Sequence, residues 1–166
     1  EVARCRARKY AAHKMNLSEH FTLRELTRSQ TAERLCIKNE PNSDQMLALK
    51  LVCQNILEPV RRHYGIPFSP SSGYRSPFLN KHIGGSATSQ HCAGEAVDFE
   101  VPGVSTPALA AWCRDNLLEW DQLICECWHP GKSDSGWVHM SYGGAMRRDV
   151  LTYQAGKGMM NGLPGF

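Results

Sequence analysis

The longest regular pattern in the chain is an apolar stripe in which Met46, Leu47, Leu49, Val52, Cys53, Ile56, Leu57 and Val60 recur at steps of three and four residues. That period marks the buried face of a helix running to about Tyr64, with Gly65 as its stop signal. Pro59 lies inside the run, and an internal proline predicts a kink or an early end. The stretch 39–44, with Pro41, Asn42 and Ser43, precedes this helix and ends in a good N-cap. Further upstream, Thr22 and Glu25 have capping-box spacing and Phe21 and Leu26 can form a hydrophobic staple, so a short helix starts there. Thr106 followed by Pro107 reads as an N-cap with proline at the first helical position, predicting a helix over 107–118. Residues 77–83 predict one or two helical turns ended by Gly84-Gly85, and strands are predicted near 68–74 and over 95–101, 122–127 and 136–142. From Gly156 onward the chain is rich in glycine and methionine and is expected to end loosely.

A chain of 166 residues builds one core, and its 42% hydrophobic and 21% charged residues are those of a packed globule. The expected organisation is a basic arm over 1–16, one domain over 17–154 and a tail over 155–166. No internal repeat or low-complexity tract interrupts it. A net charge of +3 is too small to imply nucleic acid without a basic stripe, and the arm (Arg4, Arg6, Arg8, Lys9, Lys14) lacks interleaved aromatics. No apolar run reaches the roughly 18 residues of a membrane span. The first fourteen residues are basic without an apolar stretch, which is not a signal peptide. Of seven cysteines, Cys36, Cys53, Cys92, Cys113, Cys125 and Cys127 lie in segments that read as helix, strand or core, and small buried hydrophobes are expected. Cys125 and Cys127 form C-x-C, which matches neither a redox C-x-x-C nor a zinc knuckle.

Strand parity supplies the first chemistry. Val97, Phe99 and Val101 share one face of their strand and Ala96, Asp98 and Glu100 the other; the apolar set must be core. In the next strand Gln122, Ile124 and Glu126 share a face, and in the last Trp137, His139 and Ser141 do. If these strands pair in one sheet, Asp98, Glu126 and His139 collect on its non-core face. His91 lies a short loop ahead of Asp98, and Gly94 lets the backbone turn so that both point at one spot. Two imidazoles and a carboxylate make a three-ligand site with a fourth tetrahedral position for water, as in a catalytic zinc centre.

Ser72-Gly73-Tyr74-Arg75, then Asn80, Gly84-Gly85, Ser89-x-His91-x-x-Gly94-x-Ala96-x-Asp98 and Trp137-x-His139 together resemble the zinc D-Ala-D-Ala metallopeptidases. The resemblance spans about 17–141 and is closest to phage- and prophage-encoded members. It implies an α+β fold, a small antiparallel sheet with flanking helices, shared with hedgehog-type domains. It also implies zinc held by His91, Asp98 and His139 and action on peptidoglycan cross-bridges or stem peptides. Arg75 matches the motif arginine that binds substrate carboxylate or polarises the scissile carbonyl, and Ser89 a residue that hydrogen-bonds substrate. On their own residue types, Arg75 is equally an ion-pair partner, Ser89 a turn cap, and Trp137 a pocket wall or core residue.

Relatives place a glutamate or aspartate three residues before the last zinc histidine, where this chain has Gly136. Strand parity makes Glu126 the general base in its stead, with Asp134 and Asp121 as alternatives and a solvated strand-end charge as the plain reading of Glu126. His20, His82 and His129 receive no role. The expected activity is zinc-dependent hydrolysis of peptidoglycan peptides by a monomer acting in the periplasm or cell wall, as a D,D-carboxypeptidase or endopeptidase and as a phage lysis protein or a cellular enzyme. The alternative is a zinc-containing cell-wall binding module without catalysis, which the missing acid at position 136 favours; a zinc-free structural protein is the third reading.

Overall fold

The computed structural model describes residues 15–165, so most of the expected basic arm lies outside the described residues. A five-stranded sheet is built from β1 (Ala96–Phe99), β2 (Gln122–Glu126), β3 (Trp137–Ser141), β4 (Asp149–Gln154) and β5 (Gly158–Asn161) in the order β1-β3-β2-β4-β5. All neighbours are antiparallel except β2 and β4, which run parallel. The helices are α1 (Leu23–Thr27), α2 (Gln30–Arg34), α3 (Ser43–Val52), α4 (Glu58–Tyr64), α5 (Pro77–His82) and α6 (Thr106–Asn116). This is the expected α+β class. Among the described residues no helix is long and apolar enough to cross a membrane.

The helices form where capping chemistry starts them. Thr22 and Glu25 make the capping box of α1, with Phe21 and Leu26 buried on either side of it. Asn42 caps α3 through Gln45 in a second capping box. Pro59 does not end the long helix: α3 passes through a π turn over Cys53–Leu57 into α4, where Glu58 N–H bonds to Cys53 O. The wider turn absorbs the proline, whose ring and missing N–H an α turn there would not accommodate. α6 is capped by Ser105 rather than Thr106, one residue early, and Thr106 is buried. Packing of α3 on β1 and of α6 on β2 and β3 covers the sheet face carrying Val97, Phe99, Leu123, Cys125, Val138 and Met140, all buried in one core.

Three expectations need correction. Residues 68–74 form no strand; they meet β1 through an isolated Ser72–Asp98 bridge and the stacking of Phe68 on Phe99, because Pro70 interrupts the segment and the Tyr74 N–H turns away to Leu26 O. The residues after Gly156 do not end loosely: β4 and β5 form a hairpin, and Leu163 is buried in the core. Cys36 is exposed, in a left-handed turn after α2, whereas Cys53, Cys113 and Cys125 are buried as expected. Glu19, His20 and Glu58 form a group with the residue types of a metal site, but it is a fold clip. Both oxygens of the buried Glu58 are taken by His20, Oε1 by its backbone N–H at 2.8 Å and Oε2 by its ring Nδ1 at 2.8 Å.

Candidate metal centre

β1–β3 register sets Asp98 opposite His139, and β2–β3 register sets His139 beside Ile124 and Trp137 beside Glu126. All these side chains lie on the face away from the helices. His91 comes from a 3-10 turn, Gln90–Ala93, immediately before β1. Gly94 ends that turn at φ 76°, and a Cβ there would meet Gln45 O of α3 at 2.5 Å, so the turn requires glycine for both conformation and space. The α3 terminus then grips it, with Gln45 Nε2 donating to Cys92 O at 3.0 Å.

His91 (2% exposed), Asp98 (7%) and His139 (9%) converge. His91 Nδ1 lies 2.6 Å from Gly73 O; since a carbonyl only accepts, Nδ1 carries the proton and Nε2 presents its lone pair inward. Nε2 is 3.3 Å from His139 Nδ1 and 3.3 Å from Asp98 Oδ1, while His139 Nδ1 is 2.8 Å from Asp98 Oδ1. Donors on a tetrahedral zinc with bonds near 2.0–2.1 Å stand about 3.3 Å apart, so the two nitrogens and the oxygen fit that ion with little movement. Burial pushes the Asp98 carboxyl up, but the hydrogen bond from His139 counters it and the carboxyl is held well below the usual carboxylate range. One negative charge thus sits between two imidazoles, the donor chemistry of a metal site.

Arg75 reaches the same place, its Nη2 3.6 Å from Asp98 Oδ2 and its backbone N–H bonded to His91 O at 3.1 Å. Its Nε is buried without a partner, an unsatisfied donor beside the donor group. Ser89 is half-buried at the head of the 3-10 turn and its hydroxyl makes no cap bond. Glu126 is half-buried and accepts from Trp137 Nε1 at 3.1 Å. The other acids considered as base lie elsewhere. Asp134 is exposed in its loop. Asp121 is buried at the start of β2, where Arg147 holds its carboxyl down at about 2. Burial raises the Cys92 and Cys127 thiols, so neither is poised as a thiolate nucleophile at neutral pH.

The glycine at position 136 has a structural cause. Its φ is +73°, and a Cβ there would collide with the carbonyl oxygen of Glu126, where β2 ends in the left-handed Cys127 (φ 56°). An acidic side chain has no room at this point because the end of β2 occupies it, and that same strand end carries Glu126. Gly136→Ala is expected to destabilise the fold by about 2–4 kcal/mol through left-handed strain and overpacking. Chemical denaturation of the purified variant measures it, and an unchanged midpoint would contradict the crowding.

Two features were missed by sequence reasoning. Gln90, directly before His91, donates through Nε2 to Asp121 Oδ2 at 3.1 Å, and Arg147 grips the same carboxylate. Their only sequence signal was a lone acid opening a strand. A family model described as Peptidase M15 matches residues 19–126, a stretch that includes His91 and Asp98 and stops before His139. None of the curated proteins compared with the chain matches it.

Proposed function

The chain belongs to the peptidase M15 family of metallopeptidases, and from that premise we propose that it hydrolyses peptide bonds of bacterial peptidoglycan with zinc held by His91, Asp98 and His139. The observation that carries this reading is the convergence of two imidazole nitrogens and one carboxylate oxygen beside a guanidinium with an unpartnered Nε and on the sheet face of Glu126. Zinc, when bound there, supplies a Lewis acid that polarises a carbonyl and brings the pKa of water towards about 7.

The chain's own residues do the rest. Arg75 offers its free donors to a substrate carboxylate or to the scissile carbonyl oxygen as negative charge develops on it. Ser89 hydrogen-bonds the substrate backbone. Trp137 walls the cleft and holds one oxygen of Glu126, so the other is turned to the attacking water, takes its proton and passes it to the leaving amine. The crowded backbone at Gly136 gives a steric reason for the missing acid at that position, which supports reading Glu126 on β2 as the acid in its stead.

Such an enzyme works in the periplasm or cell wall, as a phage lysis protein or as a cellular wall-trimming enzyme. Incubating the zinc-loaded protein with purified sacculi and analysing the muropeptides by mass spectrometry tests the reading. Loss of terminal D-Ala identifies a carboxypeptidase, and cut cross-bridges or stems an endopeptidase. Sacculi that gain no new amine ends would reduce the protein to a binder.

A further inference from the structure

His91 is the one member of the donor group that the sheet does not align. β1–β3 register places Asp98 against His139, but His91 sits on a turn outside the ladder. Backbone atoms of that turn are held by Arg75 N–H and Gln45 Nε2, both on the side of α3 and the 68–75 segment. The bond from Gln90 Nε2 to Asp121 Oδ2 runs the other way, to the start of β2, where Asp121 N–H also bonds Ser141 O, two residues beyond His139.

Asp121 is built to stay still. It is 2% exposed; its Oδ1 accepts the backbone N–H and the Nε of Arg147, each at 3.0 Å, and its Oδ2 accepts Arg147 Nη2 at 2.7 Å. Arg147 also pairs with Asp149 at 2.9 Å, and Asp149 N–H bonds Asp121 O. The neighbours of Arg147 on both sides, Met146 and Arg148, are in left-handed backbone conformations, φ 50° and 59°. The loop so bent is held by what its two arginines grip, Arg147 the Asp121 carboxylate and Arg148 the carbonyls of Leu118 and Arg114. A carboxylate fixed by a two-pronged guanidinium cannot swing, so it gives Gln90 a stationary acceptor.

We propose that Arg147, Asp121 and Gln90 form a strut that sets the His91 imidazole at the metal position, which makes metal affinity depend on the β3–β4 loop. The three are positioning residues: none touches the metal or the substrate. The inference rests on the ligand set proposed above and is independent of the substrate and of the general base.

Gln90 is half-buried and Gln90→Ala removes one hydrogen bond without touching the core, whereas Arg147→Ala also strips the buried Asp121 of its counter-charge and is expected to lower the stability of the metal-free protein as well. Zinc affinity is read by competition with a chromophoric chelator, and stability of the metal-free proteins by chemical denaturation. Each single variant is expected to weaken zinc binding about tenfold, the range in which partners of metal-ligating histidines act. The double variant should lose no more than the worse single, because both act through Asp121. The metal-free unfolding midpoint of Gln90→Ala should stay at the parent value, which a merely structural role would move instead of the zinc affinity. Zinc affinity of Gln90→Ala equal to the parent's, or losses that add in the double variant, would overturn the strut. A parent protein that takes up no zinc would overturn the ligand set itself, and the two failures are told apart by that first measurement.

Discussion

His91→Ala and Asp98→Ala are each expected to abolish stoichiometric zinc uptake and, with it, hydrolysis of purified sacculi. Both side chains are nearly inaccessible, at 2% and 7% exposure, and each supplies one of only three donors. Removing an outer partner of a ligand costs roughly tenfold to a hundredfold in affinity, so removing a ligand should exceed about a hundredfold. Asp98 has a second effect, since it carries the group's one negative charge and is held ionised by the hydrogen bond from His139. Its loss leaves two neutral imidazoles to bind a dication. Asp98→Asn keeps the shape of the side chain and separates loss of metal from loss of fold. The measurement is metal content by elemental analysis beside release of new amine ends, and full activity in either alanine variant would exclude the proposed centre.

For Glu126→Gln the expected result is different: zinc content and stability as in the parent, and a kcat about 10²–10⁴-fold lower, the size of a general-base contribution. The amide oxygen still accepts the Trp137 indole N–H, so the strand end and the cleft wall stay in place. What is lost is the capacity to take a proton. The Glu126–Trp137 pair stands two residues along from the Ile124–His139 pair, about 7 Å of strand, which leaves room for water and a scissile bond between base and metal. Asp134→Asn, in an exposed loop, should leave turnover unchanged. If Asp134→Asn alone loses turnover while Glu126→Gln keeps it, the base assignment moves to that loop.

The helical part of the fold was legible where local chemistry is sufficient. Thr22 with Glu25, and the stripe from Met46 to Val60, are set by local spacing and were read from it, except for Leu47, which is 60% exposed and does not belong to the buried face. The cap of α6 was misplaced by one residue because Ser105 and Thr106 are both capping types, and only burial of Thr106 separates them. β4 went unread since it pairs with β2, 27 residues away, and nothing local marks such a partner; β5 pairs locally with β4, but its glycines and methionines carry no alternating strand pattern. Conversely, residues 68–74 read as a strand but form none, because Pro70 interrupts them and the Tyr74 N–H is taken by Leu26 O on the side of α1.

At the site, the sequence by itself determined the types of the candidate metal-holding residues and, through the two-residue period of a strand, that Asp98, His139 and Glu126 share a face. Period-two alternation is a local property, and it survives whatever the sheet's order. The tertiary structure decided what depends on distant atoms: which nitrogen His91 presents, set by Gly73 O; why position 136 is glycine, set by the end of β2; and that the Asp121 carboxylate is bonded to Arg147 and Gln90. Hydrogen-bond direction and steric exclusion arise only when segments far apart in sequence are brought into contact, and no spacing along the chain encodes them singly.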